Sequence, residues 1–223
     1  MRMTAPHFRQ VRAGDGRATR RRHLGLWATV PAVLLVGGVC DHSGKIIAVV
    51  PEFDITDSFE SGLGQWTPEA LDLGEPPGAW SVQGSTEEAS AGTHSVELTL
   101  DNVSDAGKVW IERDLEVAPA QAYEVEISFD LASADFGTLN LWTVIAGAHT
   151  APPQAADELI FQDDTGNGAS TDDGYHWVSK RYTVHAQSDE EGHLHVTLGV
   201  WGTSETARTY YFDNVRLQLT RTG

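Results

Sequence analysis

Glu124 and Glu126 stand two residues apart in the alternating stretch YEVEISFDL, so they share one side of a strand with Cα atoms about 6.6 Å apart. That spacing falls near the carboxyl separation of inverting glycoside hydrolysis, roughly 6.5–9.5 Å. Acid and base roles need environments that push the two pKa values apart, and an open acidic strand supplies none. A solvated acidic face is the more economical reading. His193 and His195 also share a strand side and reach toward a common metal, but the pattern lacks a third ligand. The segment from Asp163, DDTGNG, opens like a calcium loop with Asn167 and Gly168 in place, yet Gly174 stands where the bidentate glutamate belongs. No serine lies in a GxSxG elbow and no HExxH pair occurs.

Asp213 is the most telling acid. In RTYYFDNVRLQL, from Arg208 to Leu219, alternation places it in one row with Val215, Leu217 and Leu219. A carboxylate among core aliphatics needs a cation, a salt bridge or several backbone N–H donors. Two readings stand: a carboxylate capping a turn at the strand mouth, or a ligand of a structural Ca2+. In the second, the acidic turn DSFESG from Asp57 to Gly62 supplies further oxygens, provided the first and last strands lie side by side.

The elements that must position these residues are strands. After a secure first strand at Ile55–Glu60, Trp66 closes a glycine-broken turn as a lid on the core, and Trp80–Gln83 follows a proline and glycine loop. His94–Asn102 turns Val96, Leu98 and Leu100 inward; Lys108–Val117 opposes Val109 and Ile111 to Trp110 and Glu112; Tyr123–Leu131 is the most regular of all. In Thr138–Gly147 the alternation sets Leu139, Leu141, Thr143 and Ile145 inward against Asn140, Trp142 and Val144. Periodicity then disappears from Ala148 to Tyr175, a long loop of the kind often used in function. It returns in His176–Ala186, where Trp177 reads as core, in Leu194–Ser204 and in the closing strand, with DEEG (Asp189–Gly192) as a hairpin turn. Eight or nine short strands and no long amphipathic helix after Cys40 predict an all-β, antiparallel two-sheet sandwich.

Charge separates the ends of the chain. Residues 1–40 hold seven Arg and one Asp, whereas the whole chain carries −17. The remainder is therefore strongly acidic, which excludes nucleic acid and anionic membrane faces as partners of the folded part. Residues 1–40 predict an export signal: TRRRHL leads into sixteen uncharged residues, Leu24–Val39, too short for a comfortable span. Arg20 and Arg21 resemble a twin-arginine pair, and VGGVC resembles a lipoprotein cleavage site ending at Cys40, the single cysteine. Lipidation at Cys40, ordinary cleavage nearby and an uncleaved anchor are the alternatives; each places the rest of the chain outside the cytoplasm. Residues 41–52 then form a tether that includes a short apolar burst, and residues 53–221 form one domain.

Taken in order, DSFESGLGQW, SAGTHSVEL, YEVEISFDL and YYFDNVRL resemble the β-jelly-roll carbohydrate-binding modules of bacterial cellulases and xylanases, in the galactose-binding-like group. The resemblance implies a calcium joining the first strand to the last through Glu60, Asp213 and a carbonyl near His94 or Ser95, with Asp57 as an addition. It also implies glycan binding on an exposed sheet face or at a loop rim. Outward-reading Trp142, Trp110, Trp201, Glu112, Glu124, Glu126, Asn140 and His195 offer the stacking faces and hydrogen-bonding groups that sugars require. Such modules usually accompany a catalytic domain, and none follows here. Three readings result: a non-catalytic carbohydrate-binding module displayed on a bacterial surface or secreted; an envelope or adhesion domain that docks on protein without a sugar site; and, least favoured, a glycoside hydrolase.

Overall fold

The computed structural model describes residues 38–40, 46–48, 51–134, 141–164 and 174–222. Thirteen strands occur among them. Gly38–Cys40 (β1) pairs antiparallel with Ile46–Ala48 (β2) as a separate two-stranded piece. The rest are Phe53–Asp57 (β3), Thr67–Leu71 (β4), Trp80–Ser85 (β5), Ser95–Asp101 (β6), Lys108–Glu116 (β7), Ala122–Ser133 (β8), Trp142–His149 (β9), Phe161–Asp164 (β10), His176–Gln187 (β11), His193–Gly202 (β12) and Ala207–Arg221 (β13). The single helix among the described residues is one 3-10 turn, Ala156–Glu158.

All pairings are antiparallel and make two sheets. The five-stranded sheet runs β10–β9–β12–β7–β4; the six-stranded one runs β11–β8–β13–β6–β5, with β3 beside the far half of β13. The predicted two-sheet sandwich is thus observed. Alternation explains it: Tyr123, Val125, Ile127, Phe129 and Leu131 of β8 face Val109, Ile111, Val196, Leu198 and Val200 of the opposite sheet across one core, and all are buried. Burying such side chains stabilises by about 1.5–3 kcal/mol each, the term that carries the fold.

Three departures from the alternation matter. In β9 the phase is opposite to the one expected: Trp142, Val144, Ala146 and Ala148 face the core, and Thr143, Ile145 and Gly147 face outward. Every residue from Trp142 to Ala148 is buried, because the following segment covers the outer side too, and a strand buried on both sides has no readable alternation. The expected long loop also contains β10, which pairs with β9 through Phe161 opposite Ile145 and Asp164 opposite Thr143. Finally, β13 carries a bulge between Asp213 and Arg216, with Asn214 at φ +51°. Tyr210 and Phe212 face the core before the bulge; Val215, Leu217 and Leu219 face it afterwards. The extra residue inverts the phase, so Asp213 lies opposite Asp130 on the outer side and out of the aliphatic row.

Candidate functional site

Four of the outward-reading candidates converge on the outer side of the five-stranded sheet. In β7 and β12, Gly199 lies directly opposite Trp110, Thr197 opposite Glu112, His195 opposite Asp114, and Trp201 opposite Lys108. Gly199 is required there: a Cβ would stand 2.5 Å from Trp110 Cα and Cβ. The Trp110 indole packs with Ile145 and with Leu159 from the segment after β9, and Leu71, Phe161 and Trp201 close around them. Trp110 is 1% exposed, which corrects its expected exposure: it is the floor of this face, roofed by Leu159.

Trp201 is half-buried, with its indole N–H donating to the Asp105 carbonyl at 3.1 Å and Phe161 tilted against it at 5.1 Å. Lys108 Nζ lies 5.1 Å from the ring centroid and is itself held by Asp72 and the Ala106 carbonyl, both at 2.7 Å. The ring is therefore fixed in place before any ligand arrives.

A polar group adjoins this aromatic floor. His195 Nδ1 lies 3.3 Å from Glu112 Oε1, with side chains 12% and 13% exposed. Burial raises the Glu112 pKa; the His195 charge and the nearby Trp110 N–H oppose the rise, and Glu69 adds to it. His149 shares a 3.0 Å hydrogen bond with Thr197, and burial, together with the charge of His195, lowers its pKa to about 4. His193 instead pairs with Asp114 at 2.9 Å. Among the described residues no group of three or more His, Cys, Asp or Glu is placed to hold a metal.

The remaining candidates do not join them. Trp142 is 0% exposed: its N–H donates to Ser133 Oγ at 3.2 Å and its ring meets Tyr210 edge-on. Its expected outward position is corrected by the reversed phase of β9. Glu124 and Glu126 occupy the outer side of the other sheet, among Thr183, His185, Gln218 and Thr220, and Glu126 pairs with Arg181 at 3.2 Å. Asn140 and residues 165–173 lie outside the described residues. Trp177, expected in the core, faces outward opposite Ala132 and is half-buried. The alternation missed Phe161, His149 and Thr197, and it singled out no role for Trp80, which is 37% exposed at the start of β5.

Two of the acids expected around calcium, Asp213 and Glu60, gather at one corner, held by one loop. Asp213 is fully buried: Oδ2 accepts the N–H groups of Ser90 and Ala91, each at 3.0 Å, and Oδ1 accepts that of Asn214 at 2.7 Å. Glu60 Oε1 accepts the N–H groups of Thr93 and His94 at 2.8 and 3.0 Å, and Oε2 the Thr93 hydroxyl at 2.9 Å. These bonds, the two backbone ones first, lower the Glu60 pKa to about 2. His94 Nδ1 lies 3.3 Å from Glu60, and Ser95 turns its hydroxyl to the Glu88 carbonyl at 2.6 Å. Gly92, at φ +67°, lets the loop close, since a Cβ would meet Glu60 Oε1 at 2.1 Å. Asp57 is engaged elsewhere, by Arg113 and the Trp66 indole. Calcium takes oxygen ligands, whereas N–H and O–H donors face Glu60 and Asp213 here, so an ion at this corner would require those donors to turn away.

No family model matches the chain, and no curated protein matches it. Solved structures similar to it include the CBM22-1 xylan-binding domain from Paenibacillus barcinonensis Xyn10C, at 16% identity and TM-score 0.41, over 76% of this chain and 95% of that one. Another is the K1 cleaved adhesin domain of Lys-gingipain from Porphyromonas gingivalis W83, at 12% identity and TM-score 0.44, over 77% and 99%. A third is the arabinose-bound MgGH51 α-L-arabinofuranosidase, at 14% identity and TM-score 0.46, over 70% of this chain and 23% of that enzyme. Carbohydrate-binding modules of the kind the sequence resembles are thus among the similar structures. The site's chemistry rests on its own residues.

Proposed function

We propose that the sandwich is a non-catalytic carbohydrate-binding module whose ligand lies on the outer side of the five-stranded sheet, against Trp201 and Phe161. The observation that carries this reading is the half-buried Trp201 beside Phe161, packed against the buried Trp110 and bordered on the same outer side by the Glu112–His195 pair. A pyranose presents CH faces that stack on an indole, and its hydroxyls pair with carboxylate and imidazole groups. The face is acidic, with Glu69 and Glu112 on it, so a neutral glycan suits it better than a uronate. Catalysis is not needed to explain it: Glu124 and Glu126, the spaced carboxylate pair, are on the other sheet, away from this floor. We also propose that residues 1–40 export the protein.

Calorimetric titration of the purified full chain with xylan, mixed-linkage β-glucan and galactomannan tests the reading. Binding to at least one, weakened by about 1–3 kcal/mol in Trp201→Ala and retained in Glu126→Gln, is expected. Binding unaffected by Trp201→Ala moves the ligand off this face. Absence of binding to every polysaccharide, with one envelope protein captured instead, favours the protein-docking reading.

A further inference from the structure

Cross-strand register sets Trp177 of β11, Ala132 of β8, Tyr211 of β13, Glu97 of β6 and Gln83 of β5 in one row across the outer side of the six-stranded sheet. Val178, Leu131 and Phe212, next to three of them in sequence, belong to the core, which fixes the side. Tyr175, just before β11, meets the Tyr211 ring edge-on at 4.9 Å. Ala132 is buried and Tyr211 is 5% exposed, whereas Trp177 is half-buried and leaves part of its indole to solvent. An indole placed so on a sheet face is a stacking surface, and none of the preceding chemistry uses it.

Carboxylates border the rings, and neutral donors hold them. Glu97, opposite Tyr211, accepts the Gln83 amide at 3.1 Å and the Ser85 hydroxyl at 3.0 Å. Asp130, the diagonal neighbour of Trp177 across the β11–β8 pair, accepts the Ser179 hydroxyl at 2.6 Å. Its other oxygen accepts the Ser90 hydroxyl and the Asn214 amide, each at 2.7 Å. Burial alone would raise the Asp130 pKa; these bonds outweigh it and hold the group below its usual value, so it is ionised. Ser128, Asp130, Ser179 and Asn214 line a cavity of about 220 Å3, one residue pair along from Trp177, with Arg181 at its border. That Arg181 is turned to Glu126 at 3.2 Å, and among the described residues neither Asp130 nor Glu97 joins an ion pair. Hydrogen-bond donors thus already serve both acids while their charge is uncompensated, which draws a cation and gives little to a neutral polyol.

We propose that this face docks an extended, arginine-bearing segment of a partner protein, one guanidinium stacking on the Trp177 indole and pairing with Asp130, and a second reaching Glu97. A planar guanidinium meets both demands at once, lying flat on an aromatic ring while its N–H groups bond a carboxylate. Lysine brings the charge without the plane. Three strand spacings separate Trp177 from Glu97, about 14 Å, which an extended segment covers in about four residues. A second copy of this chain suits the face poorly, because the chain carries −17 overall. The face is on the opposite sheet from the proposed glycan site, so the two stand or fall separately.

The test is a heteronuclear spectrum of the full chain with labelled tryptophan. The chain has seven Trp, so its indole N–H region is sparse, and Trp177→Phe assigns one resonance by its disappearance. Hexa-arginine, titrated at about 0.15 M salt, should move the Trp177 resonance saturably, with a midpoint about tenfold or more below that of hexa-lysine. In calorimetry, Trp177→Ala and Glu97→Gln, each with the remaining indole resonances in place, should weaken hexa-arginine about tenfold. Glu124→Gln, which removes one charge elsewhere on the same side of the sheet, should leave it unchanged. Equal midpoints for the two peptides, or equal weakening by Glu97→Gln and Glu124→Gln, would mean that net charge alone attracts them and overturns the proposal. So does a Trp177 resonance unmoved by hexa-arginine, or one that moves on raising protein concentration alone, which would mean that a second copy covers the face.

Discussion

Replacing Asp213 with alanine probes the corner where first strand, last strand and the loop before β6 meet. The wild-type carboxylate is fully buried and accepts N–H groups from Ser90, Ala91 and Asn214. Hydrogen bonds to a charged group contribute about 1.5–3 kcal/mol each, and loop amides freed on the surface regain part of that from water. The net loss is therefore about 3–5 kcal/mol, a large share of the roughly 5–15 kcal/mol that holds a domain together. For a domain of this size that lowers Tm by about 10 °C. Thermal denaturation of the full chain gives the total, and hydrogen exchange at Ser90 and Ala91 should accelerate before the rest of β6. A loss below about 1 kcal/mol would refute the claim that these three bonds fasten the loop. Calcium enters the same experiment. If chelator lowers Tm in the wild type and has no effect in Asp213→Ala, the carboxylate holds an ion and the N–H arrangement is not the working one.

Other consequences follow from single residues. Asn214 holds φ +51° in the β13 bulge, so Asn214→Ala should cost about 1–2 kcal/mol by chemical denaturation, and Asn214→Gly less, apart from the lost 2.7 Å bond to Asp130. His149 has a folded pKa of about 4 against 6.5 unfolded, so the unfolded chain binds the proton first. Stability is full above pH 6.5 and falls as pH drops toward 4; His149→Gln should flatten that segment by about 1–2 kcal/mol, allowing for partial exposure, in denaturant melts across the range. Glu60 adds a second loss further down, present above its ordinary value of 4.5 and gone as pH falls through about 2. Intact-mass measurement of the membrane fraction should show diacylglycerol on an N-terminal Cys40; a soluble product starting elsewhere rejects lipidation and keeps export, and retention of Met1 rejects cleavage.

The sequence made the sheets legible wherever one side of a strand is wet. Tyr123–Leu131 and His94–Asn102 alternate cleanly because Glu124, Glu126 and Glu97 stand against core residues, and both segments are strands with the expected sides inward. Trp66 could likewise be read as a core lid, and it is 3% exposed. Alternation failed where a second layer intervenes. The alternation of Leu139, Leu141, Thr143 and Ile145 sets Trp142 outward, yet the Leu159 segment covers the outer side of β9, where even Thr143 is buried, and no exposed position from Trp142 to Ala148 is left to set the phase. Trp110 was given its correct side, but its burial depends on that same Leu159, far along the chain. At Asp213 the period was broken by a bulge whose only local sign is Asn214, a residue that tolerates left-handed backbone. The candidate site was thus half legible. Strand phase on β7 and β12 brought Trp110, Glu112, His195 and Trp201 to one face, while Phe161 and His149 came from a stretch without usable period.

The central claim, glycan binding on the outer side of the five-stranded sheet, is tested most directly with a glycan array displaying neutral oligosaccharides at high density. Dense display matters because a single weak site gains from multivalency when the protein is presented as an assembled reagent. Wild type should bind one family of neutral glycans and spare uronates, and Trp201→Ala, still folded by circular dichroism at the assay temperature, should lose most of that signal. A Trp201→Ala profile identical to wild type, or binding to uronates in preference to neutral sugars, would contradict it.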